Sequence, residues 1–229
     1  MSHPPKEKQM PDELLIEEID RDGAVAEATA ELRTTRSGLL RRVGLVAGGG
    51  LVAGLVPMAL SRAQSGTSKN DVKILNYALT LEYLEAAFYA EALEKGKLDG
   101  SIQNFAQVVA DHEATHVTAL EKALGSAAVK KPKFDFQGTT GSKKMFLSTA
   151  KTLEDTGVSA YQGQADQIDS SAILATAGSI LAVEARHAAW VRDLIAAGKT
   201  PKPAPEAFNP ALTMKQVLDA VEATGFITS

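Results

Sequence analysis

The sequence predicts an all-α protein whose main body is a four-helix bundle, built as two antiparallel hairpins joined by a long crossover. Three observations carry this. Apolar residues recur every three or four positions from Asn70 to about residue 197, the period of helices that bury one face. A glycine-bounded segment, residues 125–141, divides that stretch into two parts. The two parts then repeat the same polar residues in the same order. The first has Thr80-Leu81-Glu82, Tyr89 and Glu113-Ala-Thr-His116; the second has Thr152-Leu153-Glu154, Tyr161 and Glu184-Ala-Arg-His187. The offset between copies is 72 residues at the Glu and Tyr positions and 71 at the Glu-x-x-His positions.

Composition sets outer bounds on function. The 229 residues suffice for one domain of ordinary size plus a leader and a tail. A formal charge of −4, from 24 basic and 28 acidic residues, argues against an electrostatic footprint for nucleic acid. The chain has no cysteine, which excludes a disulfide framework, a zinc–thiolate site and an iron–sulfur cluster. Any bound metal must therefore be held by Glu, Asp, His or Tyr.

Residues 1–63 read as a leader. Residues 11–33 have the spacing of an amphipathic helix, with Leu14, Leu15, Ile19 and Val25 as its apolar members. Residues 43–60 form an uncharged apolar run behind Arg41-Arg42, and Ser61-Arg62-Ala63 places small residues where export-signal cleavage needs them. Five glycines moderate the run, so it resembles a twin-arginine signal more than a general secretory one. Its length also suits an uncleaved membrane anchor. Either reading places the protein outside the cytoplasm, in the periplasm or cell envelope. Residues 64–70 then serve as a linker, 71–197 as the bundle and 198–229 as a proline-rich tail with a short helix.

Within the bundle the pattern predicts helices near 71–95, 101–125, 142–167 and 170–197. Gly96 and Gly100 punctuate the first connection, and Asp169-Ser170-Ser171 supplies an N-cap for the fourth helix. Short loops make each pair of helices an antiparallel hairpin. A helix of ~24 residues is about 36 Å long, and an extended segment of seventeen residues reaches about 56 Å. The segment 125–141 is thus long enough to run the length of the bundle. In the tail, 213–224 should be helical with Val217, Leu218 and Val221 inward, and Phe208 and Phe226 should pin it to the bundle.

All four helical stripes carry a glutamate where a core residue belongs: Glu82, Glu113, Glu154 and Glu184. Taking an unpaired carboxylate out of water costs several kcal/mol even after relaxation. No lysine or arginine shares the stripes, since Arg186 and Arg192 point elsewhere. Two divalent ions would balance four glutamates, and four carboxylates with two imidazoles match the ligand set of a dinuclear carboxylate site. In that arrangement Glu82 and Glu154 are terminal ligands, Glu113 and Glu184 bridge, and His116 and His187 give one nitrogen to each ion. Mixed carboxylate and imidazole suits iron or manganese and leaves positions for O2 or H2O2. Tyr89 and Tyr161, two turns from the terminal glutamates, are placed to orient them or to take part in redox chemistry. Glu85 competes with Glu82 for the ligand role, but its counterpart in the repeat is Gly157, which favours Glu82. His112 falls about 100° off the stripe, Asp155 faces solvent, and Trp190 belongs to the core.

The stretches LNYALTLEYLEAAFY, ADHEATHVTALEKAL, AKTLEDTGVSAY and ILAVEARHAAW resemble the ferritin-like domain family that includes exported bacterial proteins and plant desiccation-related proteins. The resemblance covers residues 71–197. It implies a four-helix bundle with a carboxylate-bridged dimetal centre, and much less about the reaction. Three functions fit: oxidation of Fe(II) or consumption of peroxide at the metal pair, metal binding without turnover, and a structural, stress-protective bundle. A homo-oligomer is compatible with each.

Overall fold

The computed structural model describes residues 67–95, 97–200 and 202–228. The predicted leader, with its apolar run 43–60, lies outside them. Among the described residues no helix is long and apolar enough to cross a membrane. Four long helices form the body: α1 (Lys69–Glu94), α2 (Gly100–Leu124), α3 (Lys143–Gln164) and α4 (Ser171–Ala196). A short fifth helix, α5 (Met214–Thr224), follows. The predicted third helix ended at 167; the α-helix stops at Gln164 and its last three residues tighten into a 3-10 turn, Ala165–Gln167.

Hydroxyl side chains start these helices by accepting otherwise unpaired backbone N–H groups. Ser68 caps α1, Ser142 caps α3 and Ser170 caps α4, as the sequence predicts for the last. Thr213 and Gln216 form a reciprocal capping box on α5. Asp71, buried in the first turn of α1, accepts from the backbone N–H groups of Asp169 (2.8 Å) and Ser170 (3.1 Å). It thereby ties the α3–α4 connection to the start of the bundle.

The helices pack as two hairpins, α1 with α2 and α3 with α4. Lesser contacts join α1 to α3, α2 to α4 and α5 to α3. The crossover departs from plain coil. Its strand β1 (Lys133–Phe134) pairs antiparallel with β2 (Ile227–Thr228), so the C-terminal end is stitched to the connection between hairpins. Asp135 N–H donates to the Phe226 carbonyl at 2.9 Å, and Phe226 packs edge-on against Phe136.

Two expectations for the tail are corrected. Phe208 is 88% exposed and pins nothing; Phe226 and the backbone of Leu212, whose N–H donates to Ser159 O at 3.1 Å, do that instead. Leu218 is exposed because Val217 and Val221 are four residues apart on one face, and Leu218 lies a ~100° step away. The tail crosses α3 at Gly163, where an added Cβ would stand 1.8 Å from Leu212 O. In an open helix Gly→Ala stabilises by about 1 kcal/mol. Here the sign should reverse: Gly163→Ala is expected to lower the thermal midpoint, and a raised midpoint would show that the crossing is loose.

Along each long helix the core divides into two layers. One is aromatic, with Phe88, Phe105 and Phe146 packed around Tyr89 and Phe136 edge-on to Phe88. The other is largely aliphatic, with Leu75, Leu79, Leu120, Ile173 and Ile180 around Tyr161. Trp190 packs edge-on against Phe105 at the rim of the first layer. The glutamates and histidines of the repeat belong to neither layer.

Candidate metal centre

Each hairpin contributes the same set. Glu82 comes from α1, Glu113 and His116 from α2, Glu154 from α3, and Glu184 and His187 from α4. A spacing of three residues puts the Glu and His of each motif on one helical face, a turn apart. All six are buried; Glu113, Glu154 and Glu184 have no exposure at all. They converge in two groups, Glu82, Glu113, His116 and Glu184, then Glu113, Glu154, Glu184 and His187. Within each group one potential ligand atom per residue lies within 4.8 Å of all the others. Glu113 and Glu184 belong to both groups.

The geometry has too many acceptors for its donors. His116 Nδ1 lies 3.2 Å from Glu82, 3.1 Å from Glu113 and 3.4 Å from Glu184. His187 Nδ1 lies 3.2 Å from Glu113, 3.2 Å from Glu154 and 4.0 Å from Glu184. A ring nitrogen carries at most one proton, so neither histidine can serve three carboxylates. Glu113 Oε1 and both Glu184 oxygens are buried without a hydrogen bond. Orphaned carboxylate oxygens in the interior are costly, and cations between the shared pair would satisfy them. The residues therefore fit two metal ions.

Electrostatics point the same way. Burial, then repulsion from the neighbouring glutamates, holds the carboxyls of Glu113 and Glu184 well above the ordinary carboxylate range. Burial also opposes the charge on Glu82, but hydrogen bonds from His116 and Tyr161 outweigh it and hold that carboxyl low. For His116, burial works against the charge, yet Glu113, Glu184 and Glu82 together raise it well above an ordinary imidazole. Without metal, protons must do the pairing that cations would do.

The tyrosines cross over between hairpins. Tyr89 of α1 donates to Glu154 of α3, and Tyr161 of α3 donates to Glu82 of α1 at 2.5 Å. Each thus steadies a buried glutamate of the opposite hairpin rather than its own. Burial, followed by the adjacent carboxylate, raises both phenols well above their ordinary range and keeps them protonated donors. Tyr161→Phe should cost about 2 kcal/mol of stability, the size of a hydrogen bond to a charged group. The urea midpoint measures this, and an unchanged midpoint would show that the hydroxyl contributes nothing.

Two residues that the sequence reading set aside lie against the centre. His112 Nδ1 sits 2.9 Å from His187 Nε2, with the rings stacked. Its 100° offset places it on the surface beside the stripe, yet a ring is long enough to reach the neighbouring helix. Glu85, the rival that the repeat ranked behind Glu82, is also buried. Gly157 leaves the space that Glu85 occupies: a Cβ there would meet Glu184 Oε2 at 2.9 Å and Glu85 Oε1 at 3.3 Å. The glycine in the repeat, read as evidence against a ligand role for Glu85, also leaves room for its side chain. Asp155 is also only partly solvated, since it pairs with Lys151 at 2.8 Å and with Arg192.

Fold and site together define a helical bundle whose buried carboxylate–imidazole cluster can hold a pair of metal ions. The chain belongs to the ferritin-like domain family, whose model matches residues 70–197. No curated protein matches it.

Proposed function

We propose that this protein binds a carboxylate-bridged pair of iron or manganese ions and is an oxidoreductase that oxidises Fe(II) or consumes peroxide. The observation that carries the proposal is the sharing of Glu113 and Glu184, with three unpaired oxygens, between two otherwise separate ligand sets. Glu82 and His116 would hold one ion and Glu154 and His187 the other. Once bound, the metal pair supplies the electrons and the open positions for O2 or peroxide. The chain supplies the rest. Tyr161 and Tyr89 fix the terminal carboxylates, His112 fixes the ring of His187, and the apolar layers exclude water. Residues 41–63, with paired arginines before a moderate apolar run, support placing this chemistry outside the cytoplasm.

The test is to load the metal-free full chain with Fe(II) or Mn(II) under anaerobic conditions. Mass spectrometry then counts ions per chain, and oxidant consumption is followed after O2 or H2O2 is added. Two ions per chain with turnover, both lost in a Glu113→Ala, Glu184→Ala double variant, would support the proposal. Two ions without turnover would leave a metal-binding bundle, and no metal would leave a structural one.

A further inference from the structure

The six converging residues repeat, but what stands behind the two histidines does not. His187 turns Nδ1 towards Glu113 and Glu154, and its far nitrogen, Nε2, lies 2.9 Å from His112 Nδ1. The two rings stack, with centroids 5.1 Å apart and planes 19° from parallel. His116 also turns Nδ1 towards its carboxylates. Among the described residues, nothing hydrogen-bonds its Nε2.

The sequence carries the same asymmetry. The offset of 71 residues that relates Glu113 to Glu184 and His116 to His187 relates His112 to Val183. One copy therefore reads His-Glu-x-x-His and the other Val-Glu-x-x-His. A valine side chain offers neither a donor nor an acceptor. The other unmatched residue, Glu85, introduces no such bias. At Gly157 its carboxylate borders the same space as that of Glu184, which belongs to both groups.

The difference has a chemical consequence for bound metal. A neutral imidazole that gives Nδ1 to a cation keeps its one proton on Nε2. An acceptor for that N–H fixes the tautomer and orientation of the ring and makes the ligating nitrogen more basic. His112 Nδ1 can accept, because His112 is exposed and water can serve its own Nε2–H. We propose that His112 is a positioning residue for one ion alone, so that the ion held by Glu154 and His187 binds more tightly and loads first. The ion held by Glu82 and His116 follows. This rests on the metal-binding reading above and adds to it an order of loading and the residue that sets it.

Calorimetric titration of the full metal-free chain with Co(II) gives the affinity of each step, and mass spectrometry counts ions at the endpoint. Repulsion between two cations separates the steps even in a symmetric centre, so the variants decide. His112→Leu removes the acceptor. It should weaken the first step about tenfold or more, the usual cost of losing such a partner, and leave the second little changed. His112→Asn, whose side-chain oxygen can stand in for Nδ1, should restore most of that loss. Val183→His puts an imidazole at the matching position and should tighten the second step. Far-UV circular dichroism of each metal-free variant confirms that it folds. Parental affinities in both steps of His112→Leu would overturn the proposal while leaving the metal reading intact. Equal weakening of both steps, or a loss in His112→Asn as large as in His112→Leu, would overturn it by making His112 a packing residue. A parent chain that takes up no Co(II) would overturn the metal reading itself, and this proposal with it.

Discussion

Glutamine at both Glu113 and Glu184 will abolish stabilisation by metal while making the metal-free bundle more stable at neutral pH. The two carboxyls are fully buried and held well above their ordinary range by burial first and mutual repulsion second. Three of their four oxygens accept no hydrogen bond. An isosteric amide removes the charge without opening a cavity, so the metal-free fold no longer has to neutralise that charge. The cost appears on loading. An ion at a thousandfold excess over its dissociation constant stabilises the folded state by about 4 kcal/mol. For a domain of this size that amounts to roughly 8–16 °C in midpoint for each ion. Calorimetry of parent and variant with and without Mn(II) reads both effects. A variant that still gains stability from Mn(II) would remove these two residues from the ligand set.

The second large effect is a loss of stability as pH rises in the absence of metal. Glu85, Glu113 and Glu184 all have folded values raised above the ordinary 4.5. Burial is the first cause in each case, and neighbouring carboxylates add to it. Between the unfolded and folded values the native state holds protons that the unfolded chain has released, so stability falls with rising pH. Each such carboxyl contributes fully below 4.5 and is lost as pH climbs through its folded value, at about 1.4 kcal/mol per pH unit. His116, raised from 6.5, has the same sign and enters above that pH. Glu82 opposes them, because its lowered value contributes above 4.5 and is lost on acidification; it is one group against four. Thermal midpoints of the chelator-treated chain from pH 4.5 to about pH 8 should therefore decline. The loaded protein should lack the decline, since cations replace the protons. A flat metal-free profile would mean that water or ions from solution already compensate these charges.

Much of this centre is legible in the residues because a helix converts sequence spacing directly into a shared face. Glu113 and His116, three residues apart, must lie together, and the 71- to 72-residue offset repeats the arrangement in the second hairpin. Contacts between helices are not written in spacing. The crossing of Tyr89 to Glu154 and Tyr161 to Glu82 depends on which hairpin faces which. His112 lies off the stripe of its own helix, as the spacing predicts, but its partner His187 stands on another helix, which spacing does not show. The repeat ranked Glu82 ahead of Glu85, and the converging groups include Glu82 and not Glu85; that Glu85 packs over Gly157 depends on a contact between helices. Symmetry holds for the six converging residues, and where it fails at Gly157 it leaves space beside the Glu85 carboxylate. In the tail, the β1–β2 pairing joins residues almost a hundred positions apart with only two residues per strand, too short for any alternation to announce.

Sequence by itself determined the helical class, the helix order, and which six buried glutamates and histidines share core-facing stripes, three from each hairpin. Each of these follows from local periodicity and from the cost of burying charge, which acts on every helix separately. Tertiary structure decided the rest: which tyrosine steadies which glutamate, the approach of His112, the burial of Glu85 over Gly157, and the path of the C-terminal segment beside it. Those depend on distances between side chains from different helices. Such distances are set by how the hairpins pack, a property of the assembled core that no single stretch of chain contains.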